Sequence, residues 1–194
     1  NHLKLLEYAL FGGKDPKTGI EIDRTEEPAD TESLINAYKT YLGKAIQYWQ
    51  EYWNLVMEAH SRTVPLIYCS ALMRACIDRG KNMDRGGLLN NQTPTTLSSG
   101  LVNVVNSIAA IQNSEKQGVA LPQIKRWLVD NWEGYEAERK KLLAAPKWGN
   151  DEEEADLLMQ DLWETYCENV EKTENYLGKP YDPSMLAIST MTPF

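Results

Sequence analysis

The chain has 194 residues, 42% of them hydrophobic, and a formal net charge of −8. An acidic surface repels phosphate backbones, which argues against a nucleic-acid partner. No apolar run approaches the roughly 20 residues of a membrane helix, which argues against a membrane partner.

The start, Asn1-His2-Leu3-Lys4, lacks both a signal-peptide pattern and an initiator Met. That leads us to expect a processed chain, or a segment of a longer one. Cys69, Cys76 and Cys167 are odd in number and none stands in C-x-x-C spacing. Free thiols in a reducing cytoplasm are therefore expected. His2 and His60 are far apart in sequence, and no P-loop, H-E-x-x-H or G-x-G-x-x-G motif occurs.

Residues 3–11 read as a short helix with Leu3, Leu6 and Leu10 on one side, stopped by Gly12-Gly13. A loop holding Pro16, Gly19 and Pro28 follows. Asp30 is placed to cap the next helix. Leu34, Tyr38, Tyr41, Leu42, Ala45, Tyr48, Trp49, Tyr52 and Val56 recur at helical spacing. We read them as a core stripe rather than a ligand cage.

Pro65 suits a first helical turn, and one helix is expected to run to Arg79 with Gly80 as its C-terminal cap. Cys69 and Cys76 would lie on one apolar face of it, as buried structural thiols. Residues 84–102 read as an irregular polar loop, a kind of segment that is often functional or packed on further structure. Helices are expected at about Val104–Lys116, Pro122–Asn131 and Glu133–Leu143. Asp151 should cap the last long helix, whose first turn carries Glu152, Glu153 and Glu154 against the positive end of the dipole. A solvated helix start explains these acids better than a metal site. Its buried side reads Ala155, Leu158, Met159, Leu162, Tyr166 and Val170. After Pro183 a short apolar run, Met185 to Thr190, reads as a buried strand with no obvious sheet partner in the chain.

Unaided, the chain offers little chemistry. Ser98 and Ser99 have no G-x-S-x-G context. The clustered acids 151–154 are neighbours on one helix and cannot face each other across a cleft.

Several stretches resemble one family. Pro65 to Lys81 (PLIYCSALMRACIDRGK), followed by Gly86-Gly87, is similar to the glycyl radical enzyme stretch in which "G-C-I-x-x-G-x-D" leads to "G-G-A-x-Y-N". Val104 to Ile111 (VVNSIAAI) resembles "x-x-D-S-L-A-A-I", and Ala145 to Asp151 (APKWGND) resembles "A-P-K-Y-G-N-D". The opening, Leu5 to Gly19, looks like "A-L-x-x-G-x-D-P-x-T-G". The matches stand in family order and cover nearly the whole chain.

The resemblance implies a mainly α segment with a few short strands, part of an α/β ten-stranded glycyl radical enzyme barrel. Residues 1–194 would form a single segment of that pyruvate formate-lyase-like domain, with helical wrapping over 30–180 and a barrel strand at about 185–191. It implies part of the catalytic subunit of an anaerobic lyase, dehydratase or decarboxylase that cleaves a C–C or C–heteroatom bond by thiyl-radical hydrogen abstraction. A fumarate-adding aryl- or alkylsuccinate synthase of the same family is the alternative, and a non-catalytic helical scaffold subunit is another. The family's thiyl cysteine loop would precede Asn1 and its glycyl radical loop would follow Phe194, so no catalytic residue is assigned here. Phe194, at the end of Thr190-Met191-Thr192-Pro193-Phe194, is the candidate substrate-cavity wall. Asn90-Asn91 stands at the family's "Y-N", Leu88 at its "A", and Asn106 at its usual Asp. No cofactor would be bound directly; an S-adenosylmethionine iron–sulfur activase would install the glycyl radical. The implied partners are the rest of the catalytic subunit, that activase, a small organic substrate and a second copy in a homodimer.

Overall fold

A computed structural model describes residues 1–89 and 94–185. They fall into two packed units. One takes in Asn1–Gly43 and Ser98–Thr165, the other Lys44–Leu97 and Tyr166–Ser184.

The first unit begins with α1 (His2–Leu10), which buries His2, Leu6, Ala9 and Leu10. Leu3, expected on that face, is exposed, and His2 takes its place one turn before Leu6. Gly12 and Gly13 end the helix with positive φ. Asp15 then organises the loop. Its Oδ1 accepts from the backbone N–H of Lys17 (2.8 Å) and Thr18 (3.1 Å), and its Oδ2 meets Lys4 Nζ at 2.7 Å.

Asp30 caps α2 (Thr31–Thr63) as expected, accepting from Ser33 N at 2.8 Å. The Glu115 carboxylate sits on the same helix start, accepting from Thr31 N (3.2 Å) and Thr31 Oγ1 (2.5 Å). Leu34, Tyr38, Tyr41 and Leu42 are buried. Each such side chain contributes roughly 1.5–3 kcal/mol.

Helix α5 (Leu101–Lys116) is the spine against which α1, α6 (Leu121–Val129) and α7 (Glu136–Leu143) pack. Val104, Val105, Ile108 and Ile111 form its buried stripe. Helix α8 (Glu153–Glu171) buries Ala155, Leu158, Met159 and Leu162 in this unit. Asp151 does not cap it. Its φ of +60° lies far from the extended backbone that a cap requires, and the Glu152 carbonyl accepts the first helical N–H bonds instead.

In the second unit, later positions of the α2 stripe depart from expectation. Tyr48, Trp49, Tyr52 and Val56 are exposed, while Ile46 and Gln50 are buried. The helix expected from Pro65 to Arg79 is two short ones, α3 (Ile67–Ala71) and α4 (Arg74–Arg79), broken where Met73 is extended. Side chains tie the segment before the break to residues 83–84. Asp84 Oδ2 accepts from Leu66 N (3.1 Å), and Ser70 Oγ accepts from Met83 N (3.0 Å). Gly80 caps α4 in the left-handed conformation, as expected.

The stretch 84–102 is not wholly irregular. It contains β1 (Thr95–Ser98), which pairs with β2 (Asp182–Met185). Asp182 N donates to Pro94 O at 3.0 Å as the pair begins. The apolar run thought to lack a partner is thus preceded by a strand that has one. Only Met185 of the expected strand 185–191 lies among the described residues. Tyrosine hydroxyls tie the rest together. Tyr166 donates to Thr96 O (2.6 Å), Tyr176 to Asp84 O (2.5 Å) and Tyr181 to Asn54 Oδ1 (2.7 Å).

Candidate functional site

Phe194, with Thr190 to Pro193, and the pair Asn90-Asn91 lie outside the described residues. The three cysteines form no disulfide among the described residues and differ in setting: Cys76 is buried, Cys167 half-buried and Cys69 exposed. The break at Met73 is why Cys69 and Cys76 do not share a buried face. Iodoacetamide should therefore label Cys69 in the native 194-residue chain and spare Cys76 until the chain is unfolded. Peptide mapping reads this directly, and equal labelling of both would contradict the arrangement.

One polar constellation was not anticipated. Ser98 Oγ lies 2.9 Å from His2 Nε2, and His2 Nδ1 lies 2.6 Å from the Tyr38 hydroxyl. The order of hydroxyl, imidazole and orienting group has the outline of a nucleophile with its base. The electrostatics do not fit that use. Burial, and secondarily the nearby amino terminus, pushes His2 down to about 4, so its ring stays neutral at pH 7. Burial drives the Tyr38 phenol well above its usual range, so it provides no charge to support an imidazolium. Ser98 and Tyr38 are both fully buried. The three side chains form a closed staple joining α1, α2 and the end of β1. The sequence signal was the position of His2, four residues before Leu6 on a buried helix face.

The stretches that carried the family resemblance also have structural roles. The Asn106 side chain accepts from Trp148 N at 3.0 Å, joining two of the recognised motifs. In the opening motif, Asp15 makes the loop staple described above. Gly87 has no room for a side chain, since a Cβ there would lie 2.1 Å from Lys81 O and 2.9 Å from Cys76 Sγ.

Among the described residues no group of three or more His, Cys, Asp or Glu side chains could hold a metal ion. No helix among them is long and apolar enough to cross a membrane.

The pyruvate formate lyase-like family model matches residues 1–194. The chain belongs to that family. It is similar to an indoleacetate decarboxylase of Tractidigestivibacter scatoligenes, at 26% identity over 100% of this chain and 25% of the relative. It is 29% identical to a trans-4-hydroxy-L-proline dehydratase of Clostridioides difficile, over 94% of this chain and 24% of that one. A glycyl radical enzyme crystal structure from Archaeoglobus fulgidus superposes with a TM-score of 0.83 at 28% identity, covering 95% of this chain and 24% of that one. The mainly helical segment with its small sheet is thus part of the glycyl radical enzyme fold. The chain spans about a quarter of the length of these relatives.

Proposed function

We infer that this chain is a wall of the catalytic subunit of a glycyl radical lyase, of dehydratase or decarboxylase type. The match of the whole chain to a quarter of such enzymes carries the reading. In such an enzyme a glycyl radical takes the hydrogen of a cysteine thiol, and the thiyl radical so formed takes hydrogen from the substrate. Neither radical residue is expected in this chain, because none of its cysteines or glycines has the required context. The radical would be installed by a separate S-adenosylmethionine iron–sulfur activase. The chain's own part is packing. A radical must be kept from water and oxygen, and helices rich in Trp and Tyr suit a closed wall.

The second unit supports this role. Tyr48, Tyr52, Leu55, Tyr68 and Leu72 are all more than 60% exposed, far more large apolar surface than scattered solvent-facing residues explain. We assign this exposed apolar surface to contact with the rest of the subunit.

The intact mass of the natural gene product from anaerobic cells should be about four times 22.1 kDa, because the chain spans 25% of the indoleacetate decarboxylase. That product, treated anaerobically with its activase, S-adenosylmethionine and a reductant, should show the paramagnetic resonance doublet of a glycyl radical. A mass near 22.1 kDa would instead indicate a small scaffold or a split subunit.

A further inference from the structure

The first unit contains a cavity of about 420 Å³. That is within the roughly 300–1,000 Å³ of small-molecule sites. Leu10 and Phe11 line it from the end of α1, Ile124 and Leu128 from α6, and Trp132 from the turn after α6.

Two further features bear on what it holds. The first is Trp132 itself. Its φ is +67° and that of Asn131 is +51°. A bulky side chain in the left-handed region is an outlier that the surrounding structure must hold in place. Trp132 N donates to Trp127 O at 2.9 Å, closing the turn that keeps the indole on the cavity wall.

The second is the charge at the rim. Four charged groups stand there or beside it. Lys4 is committed to Glu7 at 2.5 Å and to Asp15 at 2.7 Å. Both Asp15 oxygens are engaged, and Glu7 has its Lys4 contact. Lys17 lines the cavity, and its ammonium makes no hydrogen bond or ion pair among the described residues. Its backbone N–H is held by Asp15 Oδ1, so the lysine stands on a fixed loop.

We propose that this cavity binds a small amphiphilic anion, its apolar body against Trp132, Leu128 and Phe11 and its anionic head on Lys17. A polar ligand would strip water from its own groups without replacement by these walls. A neutral apolar ligand would fill the space and leave Lys17 to solvent. An apolar chain with one anionic end uses both parts of the site. The proposal is independent of the radical chemistry inferred above.

Octanoate and octanol share a chain and differ in the head group. Titrated into the purified gene product and followed by tryptophan fluorescence and calorimetry, octanoate should saturate a site and bind about tenfold more tightly than octanol, the factor of one lost charge pair of about 1.4 kcal/mol. Lys17→Gln should bring octanoate down to the octanol level. Leu128→Trp, which fills the cavity, should abolish binding of both, with circular dichroism confirming the fold. Ser107 also lines the cavity, from α5, and Ser107→Trp gives the same readout should Leu128→Trp fail to fold. Absence of octanoate binding to the folded wild type would overturn the proposal. So would equal binding of octanol, or binding that survives both Lys17→Gln and a cavity-filling variant, which would come from some other site.

Discussion

Gly13→Ala should be among the most destabilising single substitutions in this chain, costing about 2–5 kcal/mol. Two effects add. Gly13 has φ +86°, where an L-side chain costs roughly 1–2 kcal/mol. A Cβ there would also stand 2.3 Å from Ile22 O and 2.6 Å from the Tyr41 hydroxyl. One neighbour is backbone. The other is fixed, since Tyr41 donates to Asp23 O at 2.8 Å. Forcing atoms into such a site costs a further 1–3 kcal/mol, roughly. Gly19→Ala is the control. Its φ is +73°, but nothing lies within 4 Å of the added carbon, so only the backbone cost of about 1–2 kcal/mol remains. Urea denaturation of the two variants, followed by helical circular dichroism, separates the effects. Equal losses would mean that the close approach at Gly13 does not exist.

That pair shows what the sequence discloses and what it hides. Both glycines read as loop punctuation, and nothing in the letters distinguishes the crowded one from the open one. Crowding depends on the carbonyl of Ile22 and the hydroxyl of Tyr41, nine and 28 positions away. The same boundary runs through the helices. The buried side of α8 was legible from Ala155 to Val170, because a regular 3.6-residue period needs only local information. In α2 the period was equally clear, yet Leu34 to Leu42 are buried while Tyr48 and Tyr52 are exposed. Periodicity names a face without saying whether this chain covers it. An exposed aromatic stripe is what remains when the covering protein lies outside the 194 residues, as the proposed role requires.

The break at Met73 was hidden for another reason. Residues 65–79 have adequate helix propensity, and the bonds of Asp84 to Leu66 N and of Ser70 to Met83 N, which tie this segment to residues 83–84, are not written in its local pattern. Strand β1 was hidden because four residues, Thr95-Thr96-Leu97-Ser98, carry too short an alternation to stand out in a polar loop. Of the candidate site, only the family was legible. The resemblance rested on motifs that turn out to staple the fold, such as Asp15, Gly87 and the Asn106–Trp148 contact. The one wall residue assigned from it, Phe194, lies outside the described residues.

Stability should rise steeply between pH 4 and 6.5, by about 3 kcal/mol, and His2 should be responsible. Its folded value is about 4 against an ordinary 6.5. Within that window the unfolded chain binds a proton on His2 that the native chain does not. Acid therefore favours unfolding, and stability grows with pH until the unfolded histidine is also neutral. At about 1.36 kcal/mol per pH unit, a gap of some 2.5 units gives the figure above. The conversion is justified because the residue is only 5% exposed. The carboxylates of Asp15 and Asp30 act in the same direction lower down. Their hydrogen bonds hold both below the ordinary carboxylate range, so their contribution is lost only as pH falls below about 4. The window between 4 and 6.5 thus isolates the histidine. His2→Gln retains a hydrogen-bonding side chain against Ser98 and Tyr38 but cannot titrate. Thermal midpoints measured at half-unit steps should fall for the wild type from pH 6.5 to 4 and stay nearly level for His2→Gln. A parallel fall in the variant would mean that His2 is not shielded, and that the Ser98–His2–Tyr38 staple is open to water.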